Sequence, residues 1–148
     1  MKLPFLSRFA SAESPITYSR AISATDKARF GAMLTGIVRE LPELLAVSVV
    51  ELRSGEVRAT HHIGGKLNPG KAAGYYAEII RQKQQAIRAL NLTDEAIEDI
   101  LITLNAQWHV LRLLPGGRHF VHLMVNTRDT NLAVARTVMQ AHTAGTAA

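Results

Sequence analysis

The stretch Gly65-Lys66-Leu67-Asn68-Pro69-Gly70-Lys71-Ala72 comes nearest, in residue types and spacing, to a known chemistry. It follows a run that reads as a strand and opens one that reads as a helix, which is the setting of a phosphate-binding loop. Such a loop cradles phosphates with backbone N–H groups, reaches the outer ones with a lysine and holds magnesium through a Ser or Thr hydroxyl. Ala72 stands where that hydroxyl is needed, and Pro69 removes one N–H. The later strand that could bring a magnesium carboxylate ends in Asn126. Asn68 and Pro69 therefore read as an N-cap and first helical residue. No nucleotide chemistry is expected, and an unspecific anion contact at the helix start is the most the loop offers.

Histidine is the other candidate, with six in the chain. His109 and His122 can face each other only if Pro115-Gly116 forms the turn between their strands. Two imidazoles without a carboxylate make a poor ligand set, so neither metal nor cofactor is expected. No Gly-x-Ser-x-Gly elbow is present, and Glu95, Glu98 and Asp99 lie in a polar connection where solvation accounts for them. The absence of cysteine removes thiol chemistry. Trp108 and the pair Tyr75-Tyr76 lack the basic clustering that would accompany stacking on bases, which makes core or interface packing the expectation. No catalytic residue is assigned, and the chain is not expected to be an enzyme.

The elements that would carry these residues follow from periodicity. A chain of 148 residues with 47% apolar and 20% charged content suits one domain. Residues 1–23 read as an arm of uncertain order, residues 24–142 as the domain and residues 143–148 as a tail. Phe30, Met33, Leu34, Ile37, Val38 and Leu41 mark an amphipathic helix over Thr25 to Leu41, ended by Pro42. Leu44 to Leu52 and Glu56 to Ile63 flank a Ser54-Gly55 turn as a hairpin, whose first strand is apolar on both faces and hence central. A long helix runs from Asn68 to about Leu90, with Tyr75, Tyr76, Ile79, Ile80, Ile87 and Leu90 as its apolar stripe. Glu78, Arg81, Gln82, Gln85 and Arg88 form its polar face, a candidate partner-binding surface. Asp99 to Leu104, Trp108 to Leu114 and Arg118 to Val125 read as a meander. A last helix follows from about Thr130 to His142, with Asp129 placed to cap it.

The longest apolar runs fall far short of the roughly 20 residues that span a bilayer. Met1 to Phe9 lacks the features of a secretory signal, so a cytoplasmic location is expected, and its short apolar patch supports no more than marginal membrane contact. The net charge of +5 is spread along the chain, which argues against a nucleic-acid groove.

The order helix, two strands, long helix, three strands, helix resembles the Roadblock family of dynein light chains and bacterial GTPase regulators. The likeness covers roughly Ala24 to His142. It is most recognisable where Val125-Asn126 leads to Asp129-Thr130-Asn131-Leu132-Ala133-Val134-Ala135-Arg136, and in the paired strands of Ile100 to Leu114. Arg53-Ser54-Gly55 departs from the Asp-Gly turn of many members. The resemblance implies an α+β, profilin-like fold with a five-stranded antiparallel sheet in the order 2-1-5-4-3, the long helix on one face and the two terminal helices on the other. That order keeps His61 and His62 too far from the other histidines to share an ion. The resemblance further implies a homodimer that scaffolds or regulates a protein partner such as a Ras-like small GTPase, without a catalytic residue.

Asp99 to Leu104 is then an edge strand with no lysine or proline inside it, and Ile100, Ile102 and Leu104 are expected at the dimer interface. A small-molecule sensor is the alternative, disfavoured because the apolar stripes leave no polar cavity lining.

Overall fold

Val47, Val49 and Val50 are buried almost completely because the strand that carries them has a neighbour on each side and a helical layer on each face. The computed structural model of the chain describes residues 15–145. In chain order the elements are β1 (Thr17–Tyr18), α1 (Ala24–Glu40), β2 (Ala46–Glu51), β3 (Val57–His62), α2 (Gly70–Ala89), β4 (Asp99–Thr103), β5 (Gln107–Leu113), β6 (His119–Asn126) and α3 (Leu132–Thr143). They build one antiparallel sheet in the order β1-β3-β2-β6-β5-β4. Without β1 this is the five-stranded order that the resemblance implies.

Alternation along the strands sorts side chains between two cores. Val47, Val49, Val121, Leu123 and Val125 meet Phe30, Leu34 and Ile37 of α1 and Ala135 and Met139 of α3. On the other face Val50, Leu111 and Phe120 meet Ala73, Ala77 and Ile80 of α2. The small alanines bring α2 close to the sheet, and Gly55 of the β2–β3 turn packs so near it that a Cβ there would lie 2.8 Å from Gly74 Cα. Gly55 also holds a φ of 73°, which a side chain would strain.

Three expectations need correction. The first is the arm: residues 15–23 are built into the fold. Thr17 and Tyr18 pair with Thr60 and Ala59 as a sixth strand, Ser19 N–H donates to Arg58 C=O at 2.9 Å, and Ile16, Tyr18 and Ile22 pack on the α1 side of the core. Tyr18 lays its hydroxyl against Gly31 of α1, where a Cβ would collide with it. The strand is only two residues long, too short to show a period. Residues 1–14, with the apolar patch of Met1 to Phe9, lie outside the described residues, as do 146–148.

The second concerns the cap of α3, which is Asn131. Its Oδ1 accepts from Ala133 and Val134 N–H at 2.8 and 3.3 Å, while Asp129 accepts from the Asn126 amide at 3.2 Å. The third is the α2 stripe, since Tyr75 and Leu90 are 76% and 67% exposed. The sheet is met by a narrower seam centred on Ala73, Ala77 and Ile80.

Candidate interaction surface

One sheet edge is formed by β1 and the other by β4, which among the described residues pairs with β5 alone. Hydrogen-bond phase decides what β4 offers. Leu104 N–H donates to Gln107 C=O at 2.8 Å, and in an antiparallel ladder bonded and non-bonded pairs alternate. Ile102 and Ile100 therefore exchange bonds with His109 and Leu111, their register partners. The N–H and C=O groups of Asp99, Leu101 and Thr103 point outward. The neighbouring ladder agrees, since Leu114 N–H donates to His119 C=O at 2.9 Å, which commits Arg112 and Val110 to β6.

The side chains of β4 divide accordingly. Ile100 and Ile102 are half-buried on the α2 side. Leu101 and, just past the strand, Leu104 are 39% and 52% exposed. Asp99 is not the solvated carboxylate that its polar neighbourhood suggests. It is 9% exposed and bonds Arg112 at 3.2 Å and Arg136 of α3 at 3.1 Å. This clamp pins the start of β4 to both sheet and helix.

Two contacts orient α2 over the sheet. Arg81 donates to Leu52 C=O at 2.6 Å and Arg53 C=O at 3.3 Å, toward the β2–β3 turn. Tyr76 Oη lies 2.9 Å from His109 Nδ1 on β5, toward β4. At 100° per residue, the flank on the Tyr76 side carries Tyr75, Ile79, Lys83, Ala86 and Leu90. The opposite flank carries Glu78, Arg81, Gln82 and Gln85, which share one strip facing away from β4, while Arg88, the fifth candidate partner-binding residue, lines a pocket with Glu95, Ile97 and Leu113 beside the lead into β4. Glu78 accepts from Arg81 at 2.7 Å and from Gln82 at 2.9 Å. These two bonds hold the Glu78 carboxyl below its usual range, the amide of Gln82 contributing most.

Beneath the Tyr76 flank lies a buried polar group that the sequence only half reveals. Leu114 to Gly117 does form the tight turn, with Gly116 at φ 89° and Gly117 N–H on Leu114 C=O at 3.0 Å, and His109 and His122 meet at 3.1 Å. Tyr76 is the partner that periodicity could not name. The set is satisfied when His109 carries its proton on Nε2 toward Gln107 Oε1, at 3.2 Å. Its single Nδ1 lone pair is then shared between the Tyr76 hydroxyl and His122 Nε2–H. Burial, with the neighbouring His109, pushes His122 down to about 3. Burial also lowers His109 and raises the Tyr76 phenol. All three stay neutral at pH 7.

Among the described residues, no three His, Cys, Asp or Glu side chains come together as a metal ligand set, and no helix is long and apolar enough to cross a membrane. At the α2 start, Gly70 N–H is taken by Asn68 Oδ1, Lys71 N–H by Asn68 C=O and Ala72 N–H by Pro69 C=O, each at 3.1 Å. The groups that a phosphate loop would aim at its ligand are bonded within the turn.

No family model matches the chain, and no curated protein does. Solved structures do. MglB of Myxococcus xanthus superposes with a TM-score of 0.71 at 10% identity, over 82% of this chain and 87% of that one. The gliding protein MglB of Thermus thermophilus gives 0.71 at 15% identity, over 88% and 95%. A Roadblock/LC7 domain from Streptomyces avermitilis gives 0.62 at 13%, over 76% and 89%. Likeness at such low identity is a likeness of fold.

Proposed function

We propose, on the premise that this chain has the Roadblock/LC7 fold, that it is a non-catalytic homodimeric adaptor or regulator whose protein partner is a Ras-like small GTPase. The observation that carries the reading is the open β4 edge beside the largely apolar flank of α2, whose one charge, Lys83, has a long stem that can lie along an apolar surface with its head in water. Free N–H and C=O groups on a strand edge recruit another strand, and Tyr75, Ile79 and Leu90 supply apolar area next to it. A two-fold axis at β4 continues the sheet, covers that flank with its copy and matches Leu101 and Leu104 across the junction. Ile100 and Ile102 contribute from beneath, by holding β4 against α2.

The strip of Glu78, Arg81, Gln82 and Gln85 stays outward in this arrangement and, with Arg88 farther along α2, is the surface offered to the partner. The choice of a small GTPase comes from the Roadblock resemblance, and the gliding proteins among the structural neighbours accord with a regulatory role. Sedimentation at micromolar concentration is expected to give the mass of a dimer, and affinity capture from the source cell a nucleotide-dependent GTPase. A monomer overturns the assembly. A small molecule retained in the native mass spectrum of the purified protein moves the reading to a sensor.

A further inference from the structure

Arg53 of the β2–β3 turn, Arg118 of the β5–β6 turn and Arg81 of α2 converge at one end of the sheet. They surround a depression of about 500 Å³ whose other walls are Glu51, Leu52, Gln84 and Gly117. Leu52 N–H donates to Arg118 C=O at 2.9 Å, which joins the two turns into one wall. The local carboxylates are already engaged. Glu51 accepts from Ser54 at 2.6 Å and Arg58 at 2.8 Å, Glu56 lies 3.3 Å from Arg58, and Glu78 holds Arg81. The rim guanidiniums are not matched. Arg53 has no ion-pair partner among the described residues, and Arg118 is 80% exposed with its nearest carboxylate, Glu51, at 4.0 Å.

We infer that this depression is a docking site for an acidic segment of a protein partner. Several features favour extended carboxylates over a single small anion. The space is much larger than one phosphate. The glycine N–H groups nearest the rim are spent, with Gly117 on Leu114 C=O at 3.0 Å and Gly55 on Glu51 C=O at 2.8 Å. Recognition therefore falls to forked guanidiniums, which suit carboxylates two atoms at a time, and to the Gln84 amide. Arg81 is fixed in advance by its three bonds, so it loses little freedom on binding. The site continues the outward strip of α2 through Arg81, and the inference rests on the reading of that strip as the partner surface.

A fluorescent hexaglutamate peptide at low salt tests it, because exposed charges are screened at higher ionic strength. Saturable binding at one site per chain is expected, weakened about tenfold or more in the Arg53→Ala/Arg118→Ala double variant, a loss of about 1.4 kcal/mol. The Lys66→Ala/Lys71→Ala variant, with the same change in net charge elsewhere, is expected to stay within about twofold. Equal weakening in both variants reduces the effect to diffuse basicity and overturns the site, as does an absence of saturable binding. Inorganic phosphate competing at the peptide's own concentration overturns the acidic-segment reading in favour of a simple anion site. Sedimentation of the same proteins reports the dimer separately, so loss of either proposal is told apart from loss of the other.

Discussion

Replacing Leu101 with proline is expected to split the dimer while leaving the subunit folded. Its N–H points away from β5, so the change takes no bond from the subunit's own ladder, and proline is accepted on an edge strand when the missing donor faces outward. Two-fold symmetry counts the loss twice. Two interchain bonds at about 1 kcal/mol each, with a similar cost for the carbonyls they leave unmatched, come to about 2 to 4 kcal/mol. That is a dimer roughly 30- to 1,000-fold weaker. Ile102→Pro, at the centre of the same strand, is the contrast. Its N–H is committed to His109, so the lost ladder bond and the carbonyl left unmatched are expected to lower stability by about 2 to 4 kcal/mol. Sedimentation over a concentration series, with a melt of each variant, separates the two. The reasoning fails if Leu101→Pro dimerises within about threefold of the parent, or if Ile102→Pro weakens the dimer without loss of stability.

Three further outcomes follow from the packing. Deletion through Tyr18 removes the packing of Ile16 and Tyr18 on the α1 side of the core and should cost about 1 to 3 kcal/mol in denaturant unfolding, whereas Gly31→Ala, which moves only the Tyr18 hydroxyl and gains about 1 kcal/mol of helix propensity, should stay near neutral; an unchanged midpoint on deletion would show β1 to be dispensable. His122, held at about 3 against the ordinary imidazole value of 6.5, stays neutral in the folded chain while the unfolded chain takes up its proton. Stability should accordingly fall by about 1 kcal/mol per pH unit as pH drops from 6.5 toward 3, and His122→Gln should flatten that slope in urea titrations between pH 7.5 and 5. Pure protein should release no phosphate from GTP or ATP, because Ala72 supplies no hydroxyl and the α2 turn consumes its own N–H groups; turnover abolished by Lys71→Ala would refute this.

Long periodic segments were legible because their pattern is fixed by burial on one side. The helix around Phe30 to Ile37, the central strand around Val47 to Val50 and the meander after Asp99 all lie where periodicity puts them. The meeting of His109 with His122 was legible through the local turn chemistry of Pro115-Gly116, although the hairpin closes at Leu114 and His119 and the register sets His109 opposite Met124, so the two imidazoles meet diagonally. The rest required the third dimension. Thr17–Tyr18 is too short to carry a period, and its place depends on a missing Cβ at Gly31. Asp129 and Asn131 are both good capping residues, and the choice between them turns on where the chain leaves β6. Asp99 reads as solvated because Arg112 and Arg136 are distant in sequence. Tyr75 and Leu90 read as core because a helix period shows which residues share a side, not how much of that side the sheet reaches.

The two margins of the sheet set a limit on growth. A chain with both margins bare can add copies indefinitely, and strand-by-strand addition of that kind ends in fibres. Here the margin beyond β3 carries only the two residues Thr17 and Tyr18, too short a strand to template another copy, so among the described residues β4 is the edge suited to lateral addition. In the proposed dimer, strand pairing through β4 would then stop at two, and a larger assembly would be made through helices or turns. The short β1 is thus a terminator as much as a piece of the core. Removing it should turn a closed pair into a species whose size rises with concentration.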